Sequence, residues 1–345
     1  MKQLIKKLTE AYGPSGNEEQ VRQIIQAEIA GLADEVRTDA LGNLIAVKKP
    51  AGGATPATKA SPLRASARRV MLAAHMDEIG LIVTHIDDKG FLRFSTIGGI
   101  NPLTQLGGRV RFASGRIGVI GIEKLEPNEY PKLEKMYIDV GAKDKAEAET
   151  LVSVGDAAGF WRDCVWQGNR VVAKAMDDRI ACAVLVQTLK ELPTTPNEVY
   201  FVFTVQEEVG LRGAITSAYG LEPDVAIAVD VTLTGDTPEA HTMAVSLGQG
   251  PAIKVKDSGM LAHPGVKQLL IDAARSLGIP YQLEVLTRGT TDAMAMQVSR
   301  SGVPAGVISI PTRYVHSPSE MVDANDVQNA VKLLRKVLES PVVLS

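Results

Sequence analysis

Cysteine is scarce in this sequence of 345 residues, which contains only Cys164 and Cys182. Neither thiol belongs to a CxxC pair, which argues against a zinc–thiolate site. Two cysteines also argue against a disulfide framework, and a chain of this length can bury a sizeable core without one. We interpret both as reduced, partly buried thiols.

Charge of one sign and long apolar runs are also missing. The 37 Lys and Arg residues nearly balance the 40 Asp and Glu residues, which leaves a net charge of −3. This balance argues against nucleic acid or an anionic membrane as a partner, because both select basic surfaces. No apolar run approaches the roughly 18 residues of a membrane span, and residues 1–8 lack the apolar stretch of a signal peptide. We therefore expect a cytoplasmic protein.

Two common catalytic motifs are absent as well. Without GxGxxG or GxSxG patterns, the sequence shows no sign of a dinucleotide site or of a serine nucleophile.

The sequence is 45% hydrophobic and 22% charged, which is ordinary for globular proteins. Its length suggests two domains of roughly 150 residues each.

The N-terminal region is predicted to form two helices and two strands. Apolar residues at helical spacing up to Leu8 predict the first helix. Gly13-Pro14 interrupts the chain, and Ser15 and Glu18 then have the spacing of a capping box that would begin the second helix. The short strands are predicted at Glu35–Thr38 and Asn43–Lys48.

The next stretch changes character twice. The segment Pro50–Arg69 is rich in small and polar residues without apolar periodicity, which predicts an exposed, mobile loop. The apolar run Val70–Ala74 then predicts a buried strand that ends at His75. From Ile79 to about Trp166, short β segments alternate with glycine turns, as is typical of a small barrel or sandwich.

From Val171 onward, strands and helices alternate, which favours a doubly wound α/β sheet. Apolar strands are predicted at Val199–Thr204, Val225–Val229 and Ala305–Ile310. We therefore expect an α/β domain formed by residues 1–75 and 171–345. A small β-barrel domain, residues 76–170, would be inserted after the strand that ends at His75.

Histidines and acidic residues stand where the predicted strands end. These residues are His75 and Asp77, Asp177, Glu207 and Glu208, Asp230, and His316. Ligands of open α/β sheets bind at the carboxyl ends of the strands, so neighbouring strands would bring these side chains to one place.

The residue types at these positions suit divalent metal chemistry. Zinc and cobalt accept imidazole nitrogen and carboxylate oxygen. Two such ions about 3.5–4 Å apart can activate a bridging water, and a shared carboxylate offsets the repulsion between them. A further carboxylate beside the ions can take the proton of that water. The adjacent pair Glu207-Glu208 allows one side chain to bind metal while the other faces the water.

Each signal also has an ordinary structural explanation. A histidine with acidic neighbours is common at surfaces, Glu207-Glu208 could be a solvated pair, and Asp177-Asp178 could begin a helix, where acids are favoured. Asp230 could be a turn residue and His316 a loop residue. Five such signals at five strand ends are harder to explain in that way, so we favour one polynuclear site.

Five segments resemble the signature segments of the M42 metallo-aminopeptidases. They are AHMDE at 74–78, AMDDR at 175–179, QEEVG at 206–210, VDVT at 229–232 and YVHSPSE at 314–320. The resemblance runs in order along essentially the whole chain, from GPSG at 13–16 and including TTDA at 290–293. That family includes glutamyl, leucyl and deblocking aminopeptidases that form tetrahedral shells.

The resemblance implies a role for each residue. His75 and Asp230 would bind one ion, Glu208 and His316 the other, and Asp177 would bridge both; zinc or cobalt, or else manganese, would fill the sites. Glu207 would be the general base, and Asp77 would orient His75. The implied fold is a zinc-peptidase-like mixed-sheet catalytic domain with an inserted β-barrel dimerisation domain. The implied substrates are short peptides, and the implied assembly is a dimer-based homo-oligomer of up to twelve subunits.

Two other functions remain open from the sequence. Some relatives bear the label endo-glucanase, and a glycosidase could use the Glu207-Glu208 carboxylates, but it would leave both histidines and Asp177 without a role. A non-catalytic scaffold with a decayed site is the second alternative. It is disfavoured because every proposed site residue is present.

Overall fold

The computed structural model describes residues 1–53 and 68–344. Most of the predicted loop Pro50–Arg69 therefore lies outside the described residues. The helices are α1 Lys2–Glu10, α2 Glu19–Ile29, α3 Lys145–Leu151, α4 Met176–Glu191, α5 Arg212–Leu221, α6 Pro264–Leu277, α7 Asp292–Gln297 and α8 Ala324–Leu338. The strands are β1 Glu35–Thr38, β2 Leu44–Lys48, β3 Arg69–His75, β4 Gly80–Ile86, β5 Leu92–Ile97, β6 Arg109–Phe112, β7 Ile117–Ile122, β8 Met136–Asp139, β9 Ala157–Phe160, β10 Val165–Gln167, β11 Arg170–Ala173, β12 Glu198–Thr204, β13 Val225–Thr232, β14 Ala252–Lys256, β15 Gln282–Val285, β16 Ala305–Arg313 and β17 Glu320–Asp323.

A mixed sheet forms the larger layer. Within the described residues it has eleven strands, in the order β1-β2-β12-β3-β13-β16-β17-β11-β10, and β14 joins β16 and carries β15. Its centre is parallel, because β3 runs alongside β12 on one side and β13 on the other, and β13 runs parallel to β16. These four strands are almost wholly buried apolar runs, as strands covered on both faces must be.

Helices cover both faces of this sheet, so the predicted doubly wound α/β arrangement is confirmed. Helix α4 packs on β3 and β13 and is flanked by α1 and α8. Helices α5 and α7 pack together on the opposite face. The two apolar cores meet the sheet from either side, for example through Leu72 on one face and Met71 on the other.

The predicted small barrel is also confirmed. Strands β4-β5-β8-β7-β6-β9 close into an antiparallel barrel with its own apolar core. The chain enters this barrel directly after β3 and returns to the large sheet at β10, which pairs with β11. The division into residues 1–75 with 171–345 and residues 76–170 stays a prediction.

The predicted capping box at Ser15 and Glu18 is wrong. Helix α2 begins at Glu19, and neither predicted capping side chain caps it. The Ser15 hydroxyl donates to Asp77 (2.6 Å), and the Glu18 carboxylate accepts from the amides of Gly16 (2.7 Å) and Gln206 (3.2 Å). Both side chains therefore bind groups that are distant in sequence, Asp77 and the Gln206 amide, and do not cap the helix.

Among the described residues, no helix combines the length and the apolar character needed to cross a membrane.

Gly213 in α5 lies where the helix packs closely against the residues that follow β12. A Cβ added at Gly213 would overlap Asn43 Oδ1 and lie 2.6 Å from the Val205 amide nitrogen, whereas at exposed Gly220 it would meet nothing within 4 Å. We expect Gly213→Ala to lower the free energy of unfolding by ~1–3 kcal/mol through overpacking. The matched change Gly220→Ala should raise it by up to ~1 kcal/mol, because alanine is the better helix former. Urea unfolding of both variants measures the difference, and equal stabilities would contradict the tight seating.

Candidate metal centre

The predicted site residues lie together at the carboxyl edge of the parallel strands. His75 ends β3 and is in register with Thr204, the last residue of β12, so the loop that carries Glu207 and Glu208 starts beside it. Asp230 lies near the end of β13, the other neighbour of β3. One cavity of about 490 Å³ is lined by all six of the residues His75, Asp177, Glu207, Glu208, Asp230 and His316.

Asp177 lies between the two histidines. Its Oδ1 is 3.1 Å from His75 Nε2, and its Oδ2 is 3.3 Å from His316 Nε2. Glu208 Oε2 also lies 3.3 Å from His316 Nε2, whereas Glu207 Oε2 is 3.9 Å from His75 Nε2. Each oxygen of one carboxylate therefore faces a different imidazole, which is the arrangement expected of a bridging ligand.

The chain departs from regular helix geometry to place Asp177. Its ψ of 103° and the cis peptide bond to Asp178 interrupt the first turn of α4. Asp178 Oδ2 accepts from the His75 amide at 3.1 Å, so the start of α4 is tied to the end of β3. Glu320, the first residue of β17, accepts from the amides of Asp177 (3.0 Å) and His316 (2.8 Å).

Asp178 and Glu320 are the site residues that sequence reasoning missed. Both are buried, at 0% and 2% exposure. Both stand inside the quoted segments, next to or near a predicted ligand, so their positions were visible in the sequence. Their function was not, because an acid at a helix start or before a strand has an ordinary explanation.

Asp77 is a hub of hydrogen bonds rather than a partner of His75 alone. Its Oδ1 lies 3.3 Å from His75 Nδ1 and accepts from the Glu207 amide at 3.0 Å. Its Oδ2 accepts from the Ser15 hydroxyl at 2.6 Å and from the Glu208 amide at 3.2 Å. One buried carboxylate thus faces the His75 ring and fixes the backbone of both glutamates.

Burial and like charge control the protonation of the acids. Burial and repulsion from Asp177 raise the pKa of Glu208 and hold that of Asp230 well above its usual range. Burial, with repulsion from Asp230, also raises the pKa of Glu207 well above its usual range. Burial lowers the pKa of His316, but hydrogen bonds to Asp177 and Glu208 outweigh it and raise the pKa to about 12.

The donor set fits divalent cations. Two groups of ligand atoms, from His75, Asp178 and Asp230 and from His75, Asp177 and Glu208, each lie within 4.8 Å of one another. The imidazole–carboxylate distances of 3.1–3.3 Å resemble the ligand–ligand edge of about 3.3–3.4 Å in a tetrahedral zinc site. Among residues 1–53 and 68–344, Glu208 Oε1 and Asp178 Oδ1 are buried without a hydrogen-bond partner, so these oxygens remain available to bind a cation.

Beyond the ligands, the cavity has a mainly aliphatic wall. It is formed by Val231 at the end of β13, by Leu233 directly after that strand and by Leu286 after β15, and exposed Arg288 adds one cationic side chain. Asp292, at the start of α7, does not line the cavity; it accepts from the Thr204 hydroxyl at 2.5 Å behind it.

Comparison with known proteins gives consistent matches along the chain. The family model described as M42 glutamyl aminopeptidase matches residues 53–333. A protein of Acetivibrio thermocellus, provisionally named an aminopeptidase, is 52% identical over 332 residues, 96% of each chain. The solved structure of aminopeptidase APDkam598 from Desulfurococcus kamchatkensis has a TM-score of 0.91 at 43% identity and covers 98% of this chain and 94% of its own. The TET1 peptidase of Pyrococcus horikoshii, whose structure is described as assembling into a tetrahedron or a large octahedral shell, has a TM-score of 0.84 at 33% identity over 98% of both chains.

Metal binding should release protons. The pKa of His316 is raised to about 12, so its imidazole holds a proton that a cation must displace, because metal ligands bind deprotonated. The raised pKa values of Glu208 and Asp230 strengthen the competition between protons and cations at those carboxylates. We expect the apparent zinc affinity to rise by roughly tenfold per pH unit for each proton displaced. Calorimetric titration in two buffers with different ionisation enthalpies measures the number released. An affinity that does not change between pH 6 and pH 8 would contradict this protonation pattern.

Proposed function

We propose, from the premise that this chain belongs to the M42 glutamyl aminopeptidase family, that its site holds two divalent ions and removes N-terminal residues from short peptides. The chain is a metallo-aminopeptidase, a hydrolase of the exopeptidase class. The observation that carries the two-ion proposal is the position of Asp177, with one oxygen facing His75 and the other facing His316.

The proposed ligands divide between the two ions. His75 and Asp230 would hold one ion, Glu208 and His316 would hold the other, and Asp177 would contact both. Bound ions would polarise the scissile carbonyl and lower the pKa of a water molecule. Zinc and cobalt suit this mixture of imidazole and carboxylate, and manganese shares the same ligands.

Glu207 is proposed as the general base. It lines the cavity beside the ligands, and its backbone is fixed through Asp77. Its carboxylate would take the proton from the attacking water and pass it to the departing amine. The ionised Glu207 carboxylate can accept the proton of the water, and the protonated Glu207 can then donate it to the amine. Asp77 acts as a positioning residue, because it is fully buried and does not line the cavity.

The cavity wall supports a preference for aliphatic N-terminal residues. Val231, Leu233 and Leu286 would contact the first side chain of the peptide, and Arg288 would repel a lysine or arginine there. Because Arg288 is exposed, solvent weakens that repulsion.

A homo-oligomer is proposed as the working form, with a dimer as its building block and twelve subunits as the larger assembly. The support is the shell assembly of the similar TET1 peptidase and the apolar side chains that the barrel region exposes, such as Leu103 (59%) and Tyr130 (77%). A cytoplasmic location stays a prediction from the sequence.

The glutamine variant of Glu207 tests whether this residue acts as the base without binding metal. Glu207→Gln removes the proton acceptor but keeps every proposed ligand, so kcat should fall by ~10²–10⁴-fold. Elemental analysis should still find two ions per chain after zinc or cobalt loading. Hydrolysis of a leucyl chromogenic amide, with and without chelator, measures the activity.

The matched variant Glu208→Gln should instead lose metal, because Glu208 is a proposed ligand. Near-normal turnover by Glu207→Gln would refute the proposed base. Fewer than two ions in the wild-type protein would refute the two-ion site and favour a scaffold role.

A panel of aminoacyl amides tests the proposed specificity. We expect kcat/KM for a leucyl amide to exceed that for a lysyl amide by at least about tenfold. Arg288→Glu should narrow that ratio by about two- to fivefold, the range of an exposed charge pair. Arg116→Glu makes the same charge change at an exposed barrel turn and should leave the ratio unchanged. A lysyl preference, or cleavage of carboxymethyl-cellulose in place of the amides, would overturn the assignment.

A further inference from the structure

The loop that carries the proposed base is held by an unusual set of contacts. Its four successive backbone amides, residues 205–208, each donate to a side-chain oxygen from a distant part of the chain. The contacts are Val205 to Asn43 Oδ1 (3.0 Å), Gln206 to Glu18 Oε1 (3.2 Å), Glu207 to Asp77 Oδ1 (3.0 Å) and Glu208 to Asp77 Oδ2 (3.2 Å). Two of the three acceptor side chains come from the N-terminal region, before β3.

Glu18 is a buried carboxylate among these acceptors. It is 5% exposed, and none of the described residues forms an ion pair with it. It is also repelled by the Asp77 carboxylate, and it accepts hydrogen bonds from the amides of Gly16 (2.7 Å) and Gln206 (3.2 Å) and from its own amide. A buried carboxylate without a cation opposes folding, so stability alone does not account for it.

The backbone at Gln206 has a conformation that needs support. Its φ of 56° lies in the left-handed region, which side chains other than those of glycine and asparagine seldom adopt. The Gln206 side chain and carbonyl are also held by Arg212, at 3.0 Å and 3.2 Å. The next residue is Glu207, so the Gln206 peptide and the contact of the Glu207 amide with Asp77 together set the direction of the proposed base.

We propose that Glu18 is a positioning residue for the reaction, which holds the Gln206 peptide in its left-handed conformation and thereby directs the Glu207 carboxylate into the cavity. This inference rests on the proposed role of Glu207 as the base. An ionised acceptor suits the task, because hydrogen bonds to a carboxylate are about twice as strong as those between neutral groups. The same contact makes turnover depend on docking of the N-terminal segment.

The test compares three variants of Glu18 with one at its neighbour. Glu18→Ala removes the acceptor, and we expect kcat to fall by roughly 10- to 100-fold, as displacement of a catalytic group by about 1 Å can cause. KM and metal content should stay at wild-type values, because no proposed ligand is changed. Glu18→Gln keeps a side-chain oxygen for both amides, so its kcat should stay within about threefold of wild type.

Two further variants separate positioning from folding. Glu18→Asp keeps the charge but withdraws the oxygen by one methylene, so it should lower kcat without unfolding the protein and serves if Glu18→Ala does not fold. Glu19→Ala, at the next and exposed residue, is the matched control and should change kcat by no more than about twofold.

Wild-type kcat in both Glu18→Ala and Glu18→Asp would overturn the inference. So would a loss of kcat that follows a loss of bound metal, or a Glu18→Gln variant as impaired as Glu18→Ala. If Glu207→Gln itself turns over normally, the proposed base fails. If Glu207→Gln is inactive and the Glu18 variants are normal, only the positioning role fails.

Discussion

The crowding of carboxylates at one sheet edge is the constraint on which the rest of the site depends. The buried acids there are Asp77, Asp177, Asp178, Glu207, Glu208, Asp230, Asp292 and Glu320. The histidines His75 and His316 lie between these acids, and exposed Arg288 lines the outer wall of the same cavity. Burying so much like charge would cost several kcal/mol per ionised group if nothing compensated it. This charge can be compensated by hydrogen bonds from backbone amides, by bound protons or by bound cations. Different acids of the cluster have different compensating partners.

One set of acids is occupied by the backbone. Asp77, Asp178 and Glu320 accept amide hydrogen bonds from the residues that carry the proposed ligands and base, and so each fixes the position of a neighbour. The other set, which includes Asp177 and Glu208, directs oxygens into the cavity. The first set makes the second rigid, which is what a binding site for two closely spaced ions requires.

The sequence predicted those features that have one physical explanation. The apolar runs before His75 and Asp230 predicted buried strands with polar residues at their ends; β3 ends at His75, and β13 continues past Asp230 to Thr232. Features with two explanations were missed or misread. Ser15 and Glu18 satisfy a capping rule locally, but acceptors and donors brought close by the fold compete for the same groups. Glu320 shows no periodicity or spacing that distinguishes an amide acceptor from a turn acid.

The buried lysines and Arg179 pair with acids outside the cavity, although Lys254 also partly offsets the rise that burial causes in the pKa of Asp230. Lys174 contacts Glu78 at 2.7 Å, and Arg179 lies 3.4 Å from the same carboxylate while it binds backbone carbonyls of the N-terminal segment. On the other side, Lys254 is paired with Glu284 at 2.8 Å. Lys174 and Arg179 share Glu78, Lys254 pairs with Glu284, and neither lysine lines the cavity. A lysine within the cavity would balance the carboxylates but could not polarise a carbonyl as a divalent ion does. The excess of negative charge therefore lies in the cavity, where divalent ions would bind.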